Sequence, residues 1–167
     1  LSVSEGMNRL FSVELVCVSP RVDLDIAALG GRRGRFSIER LLQGRVFRGV
    51  VSAFALVRAE PDGLSTYSLR IVPELWLASQ TRAYRIFQQM SDPDIALAML
   101  ARAGIEADVR LSESYKKRRY RTQYAESDYA FFARVLESAG VSFWFDTSLE
   151  GDGRLVISDT PHRAESR

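Results

Sequence analysis

The chain has 167 residues, of which 46% are apolar and 26% charged, and its net charge is +2. Disorder requires low hydrophobicity and high net charge, so a disordered chain is excluded; the length fits one ordinary domain or two small ones sharing a core. Mild basicity alone demands neither a nucleic-acid nor a membrane partner, and with one cysteine, Cys17, and one histidine, His162, neither a disulfide framework nor a zinc site made of several thiolates can be built.

The first half reads as β structure. Phe11, Val13, Leu15 and Cys17 alternate with Ser12 and Glu14, the period of a half-buried strand. Cys17 on that strand is expected to be a small apolar core residue. Pro20 breaks the run, and Leu24 to Leu29 is expected to make one short helical turn that Gly30-Gly31 ends. A short strand follows over Arg35 to Glu39, with a turn at Gly44, and then a long strand over Arg45 to Val57. Gly49 within the long strand predicts a bulge or bend. Pro61-Asp62-Gly63 is a turn signal, because proline presets one backbone angle and glycine accepts a positive φ. Beyond it, Tyr67, Leu69 and Ile71 alternate with Thr66, Ser68 and Arg70, so the long strand and Thr66–Val72 are expected to form a hairpin. Four or five antiparallel strands with one apolar face point to a small barrel or curled sheet.

The character changes after Pro73. Leu75-Trp76-Leu77-Ala78 is an apolar bridge. Ser91 can cap a helix, with Asp94 three positions on and Pro93 in the tolerant first turn; Ile95, Ala96, Met99, Leu100 and Ala103 form its apolar side, and Gly104 stops it. A second helix opens at Ser127-Asp128, buries Phe131, Phe132, Val135, Leu136 and Ala139, and stops at Gly140. The two segments are equal in length and punctuation, which predicts two equivalent helices. Val141–Phe145 and Leu155–Ile157, joined through Gly151-Asp152-Gly153, predict a hairpin. The second half therefore reads as a small α/β unit with two short helices.

Catalytic constellations are absent from the pattern. No Gly-x-Ser-x-Gly elbow occurs, Cys17 has no histidine neighbour, and Gly30, Gly31 and Gly34 lack phosphate-loop spacing. Asp23 and Asp25 lack the further ligands of a calcium loop and read as exposed loop acids. Glu126 and Asp128 flank a helix N-terminus, where the dipole stabilises carboxylates without any catalytic duty. A glycan hydrolase would need two acids converging in a cleft, and nothing singles out a pair. The most conspicuous feature is Lys116-Lys117-Arg118-Arg119-Tyr120-Arg121. Basic residues beside Tyr115 and Tyr120 could bind phosphates and stack bases. Alternatively, Tyr120, Thr122 and Tyr124 share one face of a strand and Arg119, Arg121 and Gln123 the other, making a solvated or subunit-facing basic edge.

At this point the residues resemble a family. Arg45-x-Phe47-x-Gly49-x-Val51, Tyr67-x-Leu69 with Pro73 and Leu75-Trp76-Leu77, Arg85-Ile86-Phe87-Gln88 and Asp94-Ile95 look like the N-terminal region of VgrG spike proteins of type VI secretion. So do Gln123-Tyr124-x-Glu126-Ser127-Asp128, the helix through Arg134, Leu136 and Glu137, then Gly140-Val141-x-Phe143-x-Phe145, and Leu155-Val156-Ile157-x-Asp159. The resemblance spans about Phe11 to Asp159 and rests on the order and spacing of the pieces.

What the resemblance implies is an α+β fold: a first tail-tube-like antiparallel β-barrel over 1–75, an inserted α/β domain over 76–160, and a polar tail or linker over 161–167. The implied role is structural, in the hub that joins the inner tube to the spike of a contractile injection machine and helps deliver effectors. It is not an enzyme, and no cofactor, metal or small-molecule substrate is implied. The implied partners are sister subunits in a homotrimer, inner-tube and baseplate proteins, and effectors. The hub of a contractile phage or prophage tail is a close alternative, and a nucleic-acid module using residues 116–121 is one of another class. No signal peptide or membrane span is expected, since the apolar stretch Leu10–Val18 is interrupted by Glu14 and too short. The implied location is the cytoplasm during assembly, then delivery through the apparatus. Lacking an initiating methionine, the chain is expected to be a piece of a longer one, with a second barrel, a neck and a needle beyond Arg167.

Overall fold

The structure is a computed structural model, and it describes residues 1–39, 44–61 and 63–161. Asp62 of the expected turn, His162 and the polar stretch that follows it lie outside the described residues. The chain divides into two compact units. Unit one takes Leu1–Gly6, Leu10–Pro73 and Asp146–Gly153; unit two takes Met7–Arg9, Glu74–Phe145 and the chain from Arg154 on.

Unit one holds β1 (Ser2–Ser4), β2 (Ser12–Ser19), the short helix α1 (Ile26–Leu29), β3 (Arg33–Ile38), β4 (Arg45–Arg58) and β5 (Ser65–Val72). The strands form one sheet in the order β1-β2-β5-β4-β3, antiparallel throughout. Alternation along β2 and β5 puts Phe11, Val13, Tyr67 and Ile71 into the core with Val46, Phe47, Val50 and Val51 of β4. Phe11 meets Phe47 edge to face, 5.4 Å between ring centroids. Tyr67 is fully buried, and its hydroxyl donates to the Arg21 carbonyl at 2.7 Å.

Two expectations in this unit change. Cys17 lies on β2 as read, but it is exposed: β1 pairs only with Ser12 to Glu14, so from Leu15 onward β2 is the edge of the sheet and has no neighbouring strand on its outer side among the described residues. Gly49 stands opposite Gly34, and the register shifts of β4 fall later, at Val51/Ala53 and Leu56/Arg58. Gly49 answers instead to close approach: a Cβ there would lie 1.8 Å from the Val72 carbonyl oxygen.

Unit two holds the 3-10 turn Glu74–Ser79, β6 (Arg82–Met90), α2 (Asp92–Ala103), β7 (Ala107–Arg110), β8 (Arg118–Ser127), α3 (Asp128–Ser138), β9 (Ser142–Asp146, whose last residue belongs to unit one) and β10 (Arg154–Ser158). β6 and β8 form an antiparallel two-stranded ribbon, and β7-β10-β9 a three-stranded sheet in which β7 and β10 run parallel. Helix α3 bridges both. Phe131 stacks on Phe87 of the ribbon at 5.5 Å, while Phe132 meets Phe143 of β9 at 5.3 Å.

Both helices begin and end as their sequences dictate. Ser91 and Asp94 close a capping box on α2, and Ser127 caps α3 through Ala130 N–H. At the other end Ile105 N–H reaches the Leu100 carbonyl and Val141 N–H the Leu136 carbonyl, each at 3.0 Å, around the left-handed Gly104 and Gly140. No helix among the described residues is long and apolar enough to cross a membrane.

Candidate functional site

The basic segment 116–121 leads into β8, and the ribbon sorts its side chains by face. Arg121 and Gln123 point inward, and Tyr120, Thr122 and Tyr124 outward. Arg121 and Arg118 are committed to one acid, Asp92, whose side chain is 4% exposed at the start of α2. Arg121 Nε donates to Asp92 Oδ1 at 2.6 Å and its Nη2 to Oδ2 at 2.9 Å. The hydrogen bond from Arg121 holds the Asp92 carboxyl below the usual carboxylate range against the opposing effect of burial. Arg119 does not join Arg121; with Lys116 and Lys117 it is exposed and makes no ion pair with described residues.

A second, half-buried acid lies where β8 hands over to α3. Burial pushes the Asp128 carboxyl up, but hydrogen bonds from Gln123 (2.7 Å) and Arg85 (2.8 Å) outweigh it and leave it lowered. Gln123 is fully buried, and its amide also reaches the Glu126 carbonyl. Glu126 is gripped by Arg134 at 2.6 Å. The two acids flanking the helix start are therefore held in ion pairs. Asp25 caps α1 through Ala28 N–H, and Asp23 is exposed.

A cleft of about 410 Å³ opens beside Asp128, lined by Leu75, Leu77, Met99, Leu100 and Phe132, with Glu74 and Arg85 also in its wall. It brings Glu74 and Asp128 into one wall, a pair that the sequence does not single out. The lowered Asp128 is the reverse of the proton-holding acid that glycoside hydrolysis requires. Among the described residues no three His, Cys, Asp or Glu side chains are gathered as metal ligands.

The sequence placed Tyr120, Thr122 and Tyr124 on one face of a strand, and what it left unread is the β6 half of the ribbon's outer face. Tyr84 and Ile86 are 71% and 67% exposed, and Tyr120 and Tyr124 63% and 75%. The register pairs Tyr84 with Tyr124, Ile86 with Thr122 and Gln88 with Tyr120. Alternation along β6 offered little signal, because Ala83 and Phe87, which alternate with these positions, are apolar as well. Unit one shows a second apolar surface. Val16, Val18, Leu56, Val57 and Leu64 are exposed where β2 and β4 end and β5 begins.

The chain thus holds an antiparallel sheet with an exposed apolar end and a small α/β unit whose acids Asp92, Asp128 and Glu126 are held in ion pairs. The chain matches the phage tail baseplate hub (GPD) family over residues 4–167 and belongs to that family. It is 32% identical over 159 residues to the type VI secretion system spike protein VgrG1b of Pseudomonas aeruginosa, covering 93% of this chain and 21% of that protein. It is 36% identical over 158 residues to VgrG4b of the same organism, covering 93% and 19%. The chain thus spans about a fifth of the length of these curated relatives. Among solved structures, the E. coli c3393 protein, a component of the type VI secretion system with structural similarity to T4 bacteriophage tail proteins gp27 and gp5, superposes with a TM-score of 0.84 at 23% identity, over 93% of this chain and 44% of that one. The tail protein from Neisseria meningitidis MC58 gives 0.60 at 18% identity, over 93% and 44%. At these identities the likeness is one of fold: mostly antiparallel β-sheet with a few short helices.

Proposed function

We propose that this chain is a structural part of the hub and spike of a contractile injection machine of the type VI secretion kind. It helps join the inner tube to the spike, as a homotrimer that meets tube and baseplate proteins and carries effectors outward. In this reading the five-stranded sheet contributes to a tube-like barrel, and unit two is the inserted α/β domain. The machine is assembled in the cytoplasm and delivered through its own apparatus. The observation that carries the reading is the bare apolar end of the sheet, with Val16, Val18 and Val57 each at least 60% exposed. A β-sheet ending in exposed valines is an aggregation liability unless another sheet or subunit covers it.

The role proposed is without catalysis. The acids in the most distinctive surroundings, Asp92 and Asp128, are lowered and tied to arginines, which supports a structural duty. The match to the phage tail hub family also favours a second reading, the hub of a contractile phage or prophage tail, and neighbouring genes distinguish the two.

The test is the solution mass of the natural gene product that carries this sequence, by sedimentation velocity, beside its Val18→Asp/Val57→Asp variant. A trimer that the variant dissociates is the expected result. A monomer in both cases overturns the proposal.

A further inference from the structure

The assembly reading rests on unit one; the outer face of the β6–β8 ribbon is a separate surface that it leaves unexplained. Tyr84 and Tyr124 lie opposite each other, ring centroids 5.2 Å apart and edge to face, so they form one joined aromatic platform. Ile86, Thr122, Gln88 and Tyr120 continue it along the ribbon. The platform is held rigidly from below: Phe87 stacks on Phe131, Arg85 and Gln123 meet on Asp128, and Arg121 closes on Asp92. Protein-binding surfaces are enriched in tyrosine and arginine, and rigid aromatics lose little entropy on binding.

Charge identifies the occupant. The outward positions, Arg82, Tyr84, Ile86 and Gln88 on one strand and Tyr120, Thr122 and Tyr124 on the other, include no carboxylate. At the end where β8 begins, Lys116, Lys117 and Arg119 are exposed without ion pairs among described residues. Asp92 takes up Arg118 and Arg121, so no cation crosses the middle of the platform, where Ile86 and Thr122 stand. A nucleic-acid strand needs cations that follow its phosphates past each stacked base. An apolar centre with cations at its margin complements a polypeptide that sets aromatic or aliphatic groups on the tyrosines and carboxylates against the lysines.

We infer that the outer face of the ribbon, centred on Tyr84 and Tyr124 and flanked by Lys116, Lys117 and Arg119, is a docking surface for an acidic polypeptide segment bearing aromatic or aliphatic side chains. Such a partner gains affinity from the tyrosines and encounter rate from the cations.

The test uses the whole chain and three probes in fluorescence anisotropy: a random glutamate–tyrosine copolymer, polyglutamate, and a single-stranded oligothymidylate. The copolymer is expected to bind at least ~10-fold more tightly than polyglutamate. Tyr124→Ser should weaken copolymer binding ~10-fold or more, as removal of a central aromatic anchor does. Arg119→Glu should weaken it several-fold and flatten its salt dependence. Both side chains are exposed, and unchanged far-ultraviolet circular dichroism verifies that each variant is folded. Tighter binding of oligothymidylate than of the copolymer, lost in the same variants, would replace this inference with a nucleic-acid surface. No copolymer binding, or binding that neither variant alters, overturns it outright.

Discussion

Arg121 closes on Asp92 through two hydrogen bonds, joining the ribbon strand β8 to the first turn of α2. The acid is buried, 4% exposed in its side chain, while Arg121 keeps 24% of its own exposure. Removing the acid strands a half-buried guanidinium and loses a favourable carboxylate at a helix N-terminus. Asp92→Ala is expected to cost about 2–4 kcal/mol in urea unfolding. Arg118→Ala should cost well under half of that, because Arg118 is 46% exposed and its contact with Asp92 is a longer 3.2 Å. Equal losses for Asp92→Ala and Arg118→Ala would contradict this ranking.

The same carboxylates set the acid limit of the fold. Asp92 and Asp128 are both lowered in the folded state, so the unfolded chain binds more protons than the folded one as acid is added. Their contribution is full above the unfolded value of about 3.9 and is lost as pH falls through the lowered folded values. The urea midpoint should therefore hold steady from pH ~7 to ~5 and decline steeply below ~4. In Asp92→Asn the decline should be shallower, and a midpoint as steep as the parent's would show that other groups govern it.

Much of this architecture was legible because each motif carries its own cause. Ser91 with Asp94, Gly104 and Gly140 fixed both ends of the helices, and alternation placed Phe11, Val13, Tyr67 and Ile71 on the buried side. Strand β6 escaped because Tyr84 and Ile86 on its outer side are as apolar as Ala83 and Phe87 on its inner side, so period two gave no contrast. The parallel pairing of Leu155 with Ala107 joins residues far apart in the chain, which local pattern does not encode. Cys17 shows a related limit, since alternation assigns a face but not where along its length a strand becomes the edge of the sheet. At the candidate surfaces the residues 116–121 were visible as a basic run. That Asp92 would take up two of their arginines was not, because the acid lies 26 residues before Arg118.

Gly49 and Gly104 separate two reasons for glycine. At Gly104 nothing lies within 4 Å of a would-be Cβ, and only the left-handed φ of 68° disfavours a side chain. Gly104→Ala is expected to cost about 1–2 kcal/mol. At Gly49 the Cβ would strike the Val72 backbone carbonyl, so β4 and β5 must separate. Gly49→Ala should cost at least ~3 kcal/mol and broaden the unfolding transition. Comparable midpoints for the two variants in urea would argue that β5 yields easily at Val72.

Tyr115 gives the fold a matching alkaline limit. Its hydroxyl donates to Asp159 Oδ2 at 3.0 Å, and the same oxygen accepts from the backbone N–H of Ser112 and of Glu113. Burial first, and then the hydrogen bond to Asp159, pushes the phenol up to about 12. A raised group binds its proton more tightly folded than unfolded. Its contribution is full below the unfolded value of about 10 and disappears as pH climbs toward the folded one. Replacing the carboxylate by an amide removes the negative charge that opposes phenolate formation. Spectrophotometric titration of Asp159→Asn should therefore show one tyrosine ionising at lower pH than in the parent chain, with unfolding in alkali beginning earlier by a similar interval. An unchanged titration curve would mean that burial alone holds the phenol protonated and that the bond to Asp159 adds nothing to it.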